Sequence, residues 1–326
     1  MIVAGALSLL MIVGLGVQAP AAIGLGLVPL VIVAPVLMWL DRVEPEPWPA
    51  RIHALLWGAT VAVVIAGTIN SIVAVAWGET AAAVLSAPIV EETAKAFAIV
   101  YAVRRRELDG VMDGVVYAGW SALGFAVVED FLYFATAEES GVLVETFILR
   151  ALLTPFAHPL FTTWTGLAIG LAVSRGRPVF PSMLWGLGLA IATHMAWNGA
   201  LSLGEVDGGS VVALAALLFV VLFIAGMISL IVVRRSQQKR FVELVPWLAQ
   251  RYGMAQSEVS VFGHWSSMWS ARRALSRSGR KDFDAVHAAL ARLAHLHDRP
   301  GPTDLATEQV LAAQLYRARQ KVSGRS

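Results

Sequence analysis

Residues 80–106 read TAAAVLSAPIVEETAKAFAIVYAVRRR. The stretch from 80 to 103 is long and apolar enough to cross a bilayer core about 30 Å thick, which needs roughly 20 residues of helix. It stops on Arg104, Arg105 and Arg106. Yet Glu91, Glu92 and Lys95 stand near its middle. An ionisable side chain in hydrocarbon costs several kcal/mol by most scales, so such groups face a bundle interior and mark a function. A polar core among many membrane helices is therefore expected.

The rest of the chain agrees. Of its 326 residues 57% are hydrophobic and 15% charged, and the mean hydropathy is +0.67. Soluble globular domains do not have this composition. Apolar runs predict eight spans near 2–18, 21–40, 53–77, 80–103, 111–137, 145–173, 179–203 and 211–233. A re-entrant hairpin around Gln18 to Pro20 would change that count. The predicted fold is an all-α, polytopic transmembrane bundle over 1–233, with a basic helical tail over 234–326. The apolar N-terminus lacks the positive flank of a cleavable signal and reads as a retained helix. The absence of cysteine removes disulfides, thiolate ligands and a cysteine nucleophile.

Lys and Arg alternate between connections. Arg42 and Arg51, then Arg104 to Arg106, then Arg175 and Arg177, then Arg234, Arg235, Lys239 and Arg240 occupy every second one. The positive-inside rule thus places both termini in the cytoplasm of a plasma-membrane protein. Arg150, near the outer end of the sixth span, is expected to snorkel outward or to meet acids such as Glu145. Residues 1–233 hold 9 Lys+Arg against 16 Asp+Glu, and residues 234–326 hold 16 against 7. A basic tail beside a bilayer is expected to meet anionic headgroups, and no nucleic-acid motif accompanies it. His264, His287, His295 and His297 in the tail read as exposed surface histidines.

Four spans supply the polar core. Two adjacent carboxylates at low dielectric cannot both ionise cheaply without a compensating cation or metal. Lys95, four residues from Glu91, provides one cation, so one glutamate is held charged while the other is available as a base or acid. The fifth span adds Glu129 and Asp130. The sixth adds His158, followed by Pro159, which removes a donor and is expected to open the helix locally. The seventh adds His194 and Asn198, one turn apart on one face. At about 1.5 Å per residue these groups fall within roughly 10 Å of one another in depth.

With these residues in place the chain resembles the PrsW family of intramembrane proteases, which is distantly similar to the CAAX prenyl endoprotease and bacteriocin-immunity group. The family pattern is Glu-Glu-x-x-Lys, Phe-x-x-x-Glu, a His with Gly eight residues on, and His-x-x-x-Asn. Here it stands as Glu91, Glu92 and Lys95; Phe125 and Glu129; His158 and Gly166; His194 and Asn198. It spans about residues 30–205, and the family's usual Asn after the second motif is Asp130. The resemblance implies hydrolysis of a peptide bond in a single-pass membrane protein, the best-known class being anti-sigma factors. Two mechanisms stay open. In one, His158, His194 and Glu129 or Glu92 hold Zn²⁺ and Glu91 is the general base. In the other, Glu91 activates water directly, assisted by His158 or Glu92, and His194 and Asn198 stabilise the oxyanion. A proton- or cation-coupled transporter would use the same buried groups and predicts flux without cleavage.

Overall fold

The computed structural model describes residues 1–16, 19–207, 210–298 and 304–323, and all elements among them are helical. We number them α1 (Ile2–Gly16), α2 (Pro20–Leu40), α3 (Trp48–Trp77), α4 (79–104), α5 (Val111–Ser140), α6 (Leu143–Ser174), α7 (Val179–Asp207), α8 (Ser210–Arg251), α9 (Gln256–Phe262), α10 (Trp265–Ala274), α11 (Arg277–Asp298) and α12 (Leu305–Ser323). Among the described residues six of these, α2, α3 and α5 to α8, are long and apolar enough to cross a membrane. The two other predicted spans are helical as well. The first covers 15 residues, and α4 carries Glu91, Glu92, Lys95 and Arg104. Part of the predicted hairpin region, residues 17–18, lies outside the described residues.

The described chain divides into two compact units. One is Met1–Asp41 with Glu46–Met227; the other is Arg42–Pro45 with Ile228–Ser326.

In the first unit α5 is the central helix, packed against α2, α3, α4 and α6. Lipid tails are as apolar as leucine, so helices in a bilayer associate through close packing rather than hydrophobic expulsion. The sequence of α5 supplies that packing with small residues at Gly114, Ala118, Ala122, Gly124 and Ala126, all buried. Gly114 on α5 and Gly166 on α6 face one another so closely that a Cβ on either would fall inside the other's carbonyl group. Gly124 sits the same way against the Leu55 carbonyl of α3, and Gly58 of α3 against the Ser121 carbonyl. The glycine eight residues after His158 is thus a contact that brings α6 onto α5 and carries His158 with it.

Three helices depart from regular α geometry, with π-helical turns at Trp57–Ala62, Ala82–Ser86 and Ile148–Leu153. α6 is interrupted after the last of these and resumes at Ala157. The opening therefore precedes His158 and involves Thr154, Pro155 and Phe156. Pro159, expected to cause it, lies in the first turn of the resumed helix, where its missing N–H would have had no intrahelical acceptor.

The second unit has its own core, in which Phe241, Val245, Leu248, Met268, Val286, Leu290, Leu293 and Leu315 are buried. Arg272 forks onto Asp284, and Arg319 pairs with Glu258. His264 is exposed, but His295 and His297 are half-buried beside Glu44 and Glu308, and His287 is buried against Phe241, Trp265 and Trp269. The expectation of a surface histidine fails there because α11 is strongly amphipathic and His287 falls on its apolar face, one residue after Val286. Burial pushes the His287 imidazole down to about 4.

Gly166→Leu is expected to drive α6 off α5 and to lower the unfolding temperature of the detergent-solubilised protein sharply. Gly188→Ala, whose added methyl meets open space, should leave it within a degree or two. Equal behaviour of the two variants would contradict the packing account.

Candidate functional site

α4, α5, α6 and α7 each contribute charged or imidazole side chains to one cluster. Its centre is Lys95, which is wholly buried. Its Nζ donates to Glu92 Oε1 at 2.9 Å, to His158 Nδ1 at 2.9 Å and to Glu91 Oε2 at 3.4 Å. The Phe125 ring lies under it, 4.0 Å from Nζ to the centroid. The phenylalanine of the second motif thus supplies a cation–π face to the lysine of the first, a contact worth most when desolvated. Trp57 Nε1 and Ser121 Oγ donate to the backbone carbonyls of Ala94 and Lys95, fixing α4 against α3 and α5.

Glu92 is fully satisfied. Oε1 also accepts from His194 Nδ1 at 3.1 Å, and Oε2 accepts from Thr162 Oγ1 at 2.7 Å. Glu91, equally buried, has Lys95 as its one hydrogen-bond partner among the described residues. Glu92 thus takes three hydrogen bonds and Glu91 one, and Lys95, four residues from Glu91, stands closer to Glu92.

His158 faces Lys95 with Nδ1 and Glu129 Oε2 with Nε2, the latter at 2.7 Å. An ammonium only donates, so Nδ1 accepts and the ring proton resides on Nε2, given to Glu129. His194 presents Nδ1 to Glu92, which leaves its Nε2 as the nitrogen without a carboxylate. The two rings are 5.4 Å apart and nearly perpendicular, and Phe161 stacks on His194 at 4.8 Å. Each histidine is therefore backed by its own carboxylate, an arrangement that fixes tautomer and ring orientation in metal-ligating histidines.

The structure places Glu91, Glu92, Lys95, Glu129, His158 and His194 together. Asn198 is engaged elsewhere: its amide donates to the Ala83 carbonyl at 2.8 Å, in the π-helical turn of α4. Pro88 brings no N–H to that stretch, and Asn198 provides a donor there. Arg150 does not turn outward. It reaches in to Glu129 and Asp130 and lies over the Tyr133 ring. Glu145 could not compete with two acids on the facing helix that hydrocarbon leaves without water. Asp113 is buried and accepts the N–H groups of Asp109 and Gly110 at the start of α5.

Thr162 was not anticipated from sequence. It stands one turn after His158, so its position on the same helical face was the available signal.

As a metal site, the best-placed donors are one carboxylate oxygen of Glu91 and one ring nitrogen each of His158 and His194, all within 4.8 Å of one another. Ligand atoms at the usual bond lengths of about 2.0–2.2 Å around tetrahedral zinc stand roughly 3.4 Å apart. The three side chains would have to close and Lys95 Nζ to move off His158 Nδ1; two imidazoles with one carboxylate match the donor chemistry of hydrolytic zinc sites that keep one position open. Glu129 lies outside this set.

The model of the PrsW family, described as intramembrane metalloproteases, matches residues 46–227, more than half of the chain. The chain belongs to that family. A Geobacillus kaustophilus relative named Protease PrsW is 40% identical over 88 residues, which is 27% of this chain and 37% of the relative. A second, from Oceanobacillus iheyensis and also named Protease PrsW, is 35% identical over 85 residues, again 37% of its length. The aligned segments thus cover little more than a third of either relative. No solved structure matches the chain. The six apolar helices and the family together make this a multi-pass membrane protein.

Lys95→Met would leave Glu91 and Glu92 buried without their cation. Breaking a buried ion pair from one side costs about 3–5 kcal/mol, so the variant should unfold at much lower temperature or denaturant than wild type. Thr162→Val removes one hydrogen bond to a charged group, about 1.5–3 kcal/mol, and should lose less. A Lys95→Met protein as stable as wild type would refute the compensation described here.

Proposed function

We propose that the chain is an intramembrane metalloprotease that cuts a membrane-anchored protein, with Glu91, His158 and His194 holding a divalent metal, zinc by the donor set. The observation that carries the reading is the convergence of those three donors with a carboxylate behind each histidine. Charge counting supports it. Glu91, Glu92, Glu129 and Asp130 outnumber Lys95 and Arg150 by two, the deficit one divalent cation makes up.

A metal bound there supplies Lewis acidity, which acidifies water and polarises the scissile carbonyl. The protein's own groups do the rest. Glu129 and Glu92 hold the ring protons on His158 Nε2 and His194 Nδ1; His194 Nε2 then offers its lone pair, and His158 Nδ1 would offer one once Lys95 Nζ moved off it onto Glu91 and Glu92. Lys95 neutralises Glu92 and keeps it pointed at His194. Glu91, the least committed acid, would complete the donor set with one oxygen and keep the other to accept the proton of the attacking water. Phe125 and Phe161 close the inner wall. Access is from the side of Glu129, His158 and Arg150, whose side chains are 11–20% exposed while those of Glu91, Glu92 and Lys95 are at most 4%.

The substrate is a single-pass protein whose scissile bond can unwind beside the break in α6; an anti-sigma factor is the class the resemblance suggests. Both termini face the cytoplasm. The tail meets anionic headgroups through exposed Arg273, Arg277 and Lys281. In nanodiscs, hydrogen exchange of 272–281 is expected to slow when phosphatidylglycerol replaces neutral lipid. Unchanged exchange would remove that assignment.

Reconstituted with a single-pass reporter, the protein should cleave it, and Glu91→Gln should lower the rate by at least about 10²-fold, the scale of a lost acid–base group. A chelator should abolish cleavage and Zn²⁺ restore it. Cleavage that survives the chelator would replace the metal by direct activation of water at Glu91. Cleavage that survives Glu91→Gln would remove the site altogether.

A further inference from the structure

Arg150 lies in none of the four motifs, yet its contacts lead into them. The π-helical turn at Ile148–Leu153 carries it, and its guanidinium forks across consecutive residues of α5. Nη2 donates to Glu129 Oε2 and Nε to Asp130 Oδ1, both at 2.5 Å, while the Tyr133 ring lies 3.8 Å beneath. The same Glu129 oxygen accepts His158 Nε2 at 2.7 Å. A continuous chain thus runs from Asp130 through Arg150 and Glu129 to His158.

We propose that Arg150 is a positioning residue for His158: by compensating Asp130 it keeps that neighbouring charge from driving Glu129 off His158; the effect on metal rests on the reading above. Glu129 is the acid of the cluster nearest the open side, with 18% of its side chain exposed, and so has the greatest freedom to swing off His158. A planar guanidinium that bonds both carboxylates at once and stacks on a tyrosine cancels the repulsion that would drive Glu129 off, in a way one ammonium cannot. Arg150 also separates two like charges on neighbouring residues. Its loss should harm the site mainly because Asp130 is then left uncompensated beside Glu129. Removing one partner of a buried pair strands a charge, whereas removing both does not.

The prediction is a rescue. Zinc affinity of the purified full chain is measured by competition with a chromophoric chelator for wild type, Arg150→Met, Asp130→Asn and the double variant. Arg150→Met should weaken zinc binding about 10–100-fold, the usual effect of losing support for a ligand. Arg150→Met with Asp130→Asn should recover most of that loss, and Arg150→Lys should fall between wild type and Arg150→Met. A side chain that merely filled space would show no rescue. The proposal is overturned if Arg150→Met binds zinc like wild type, or if the double variant is as weak as Arg150→Met or weaker. Should wild type itself take up no zinc, the metal reading fails. The same cycle in unfolding temperature then decides this proposal, with Arg150→Met the least stable and the double variant restored. Should Arg150→Met not fold, Arg150→Lys with and without Asp130→Asn carries the cycle.

Discussion

The structure depends on one buried ammonium. Lys95 has no water to solvate it, and the groups that replace water come from three different helices: Glu91 and Glu92 on its own, the face of Phe125 on α5, and His158 Nδ1 on α6. Removing charges from water costs several kcal/mol each even after relaxation. The compensation therefore has to be close and complete, and a cluster that satisfies Lys95 fixes the register of α4, α5 and α6. α7 joins through the second ligand of the same glutamate, His194 on Glu92.

The remaining motif residues are understood through what they make possible for that cluster. Gly166 does no chemistry; it lets α6 touch α5 at Gly114, without which His158 would stand off from Lys95 and Glu129. Asn198 ties α7 to the π-helical turn of α4, above the glutamates. Phe125 desolvates and cradles the cation. A pattern that looks like a scatter of polar residues along the chain is in three dimensions a set of helix contacts around one charge.

Much of this was legible in the sequence. Hydropathy gives the helices, because length and apolarity are what a bilayer demands. The buried acids give the site, because they cannot be in hydrocarbon without partners. Period 3.6 puts His194 and Asn198 on one face. Other features were not legible, for physical reasons. Arg150 looked like an outward-facing residue since its proximity to the outer boundary is a one-dimensional fact, while its pairing with Glu129 and Asp130 depends on a π-helical turn that no local pattern announces. The break before His158 was attributed to Pro159, yet a proline in a first turn interrupts nothing, and the interruption falls at Thr154 to Phe156 instead. His287 was read as surface because charge dominates the tail's composition, while its burial follows from the apolar face of α11. Which glutamate is left uncommitted, and that Thr162 helps decide it, required coordinates.

Glu91, His158 and His194 bring three donor atoms within 4.8 Å of one another, a set that could close on one metal ion. Anomalous diffraction from zinc-soaked crystals, recorded on either side of the zinc absorption edge, tests it most directly. A single strong peak is expected within the protein, bounded by those three side chains and with Glu92 and Glu129 behind the two rings. A peak elsewhere with this site empty, or the three side chains separated by lipid, would contradict it.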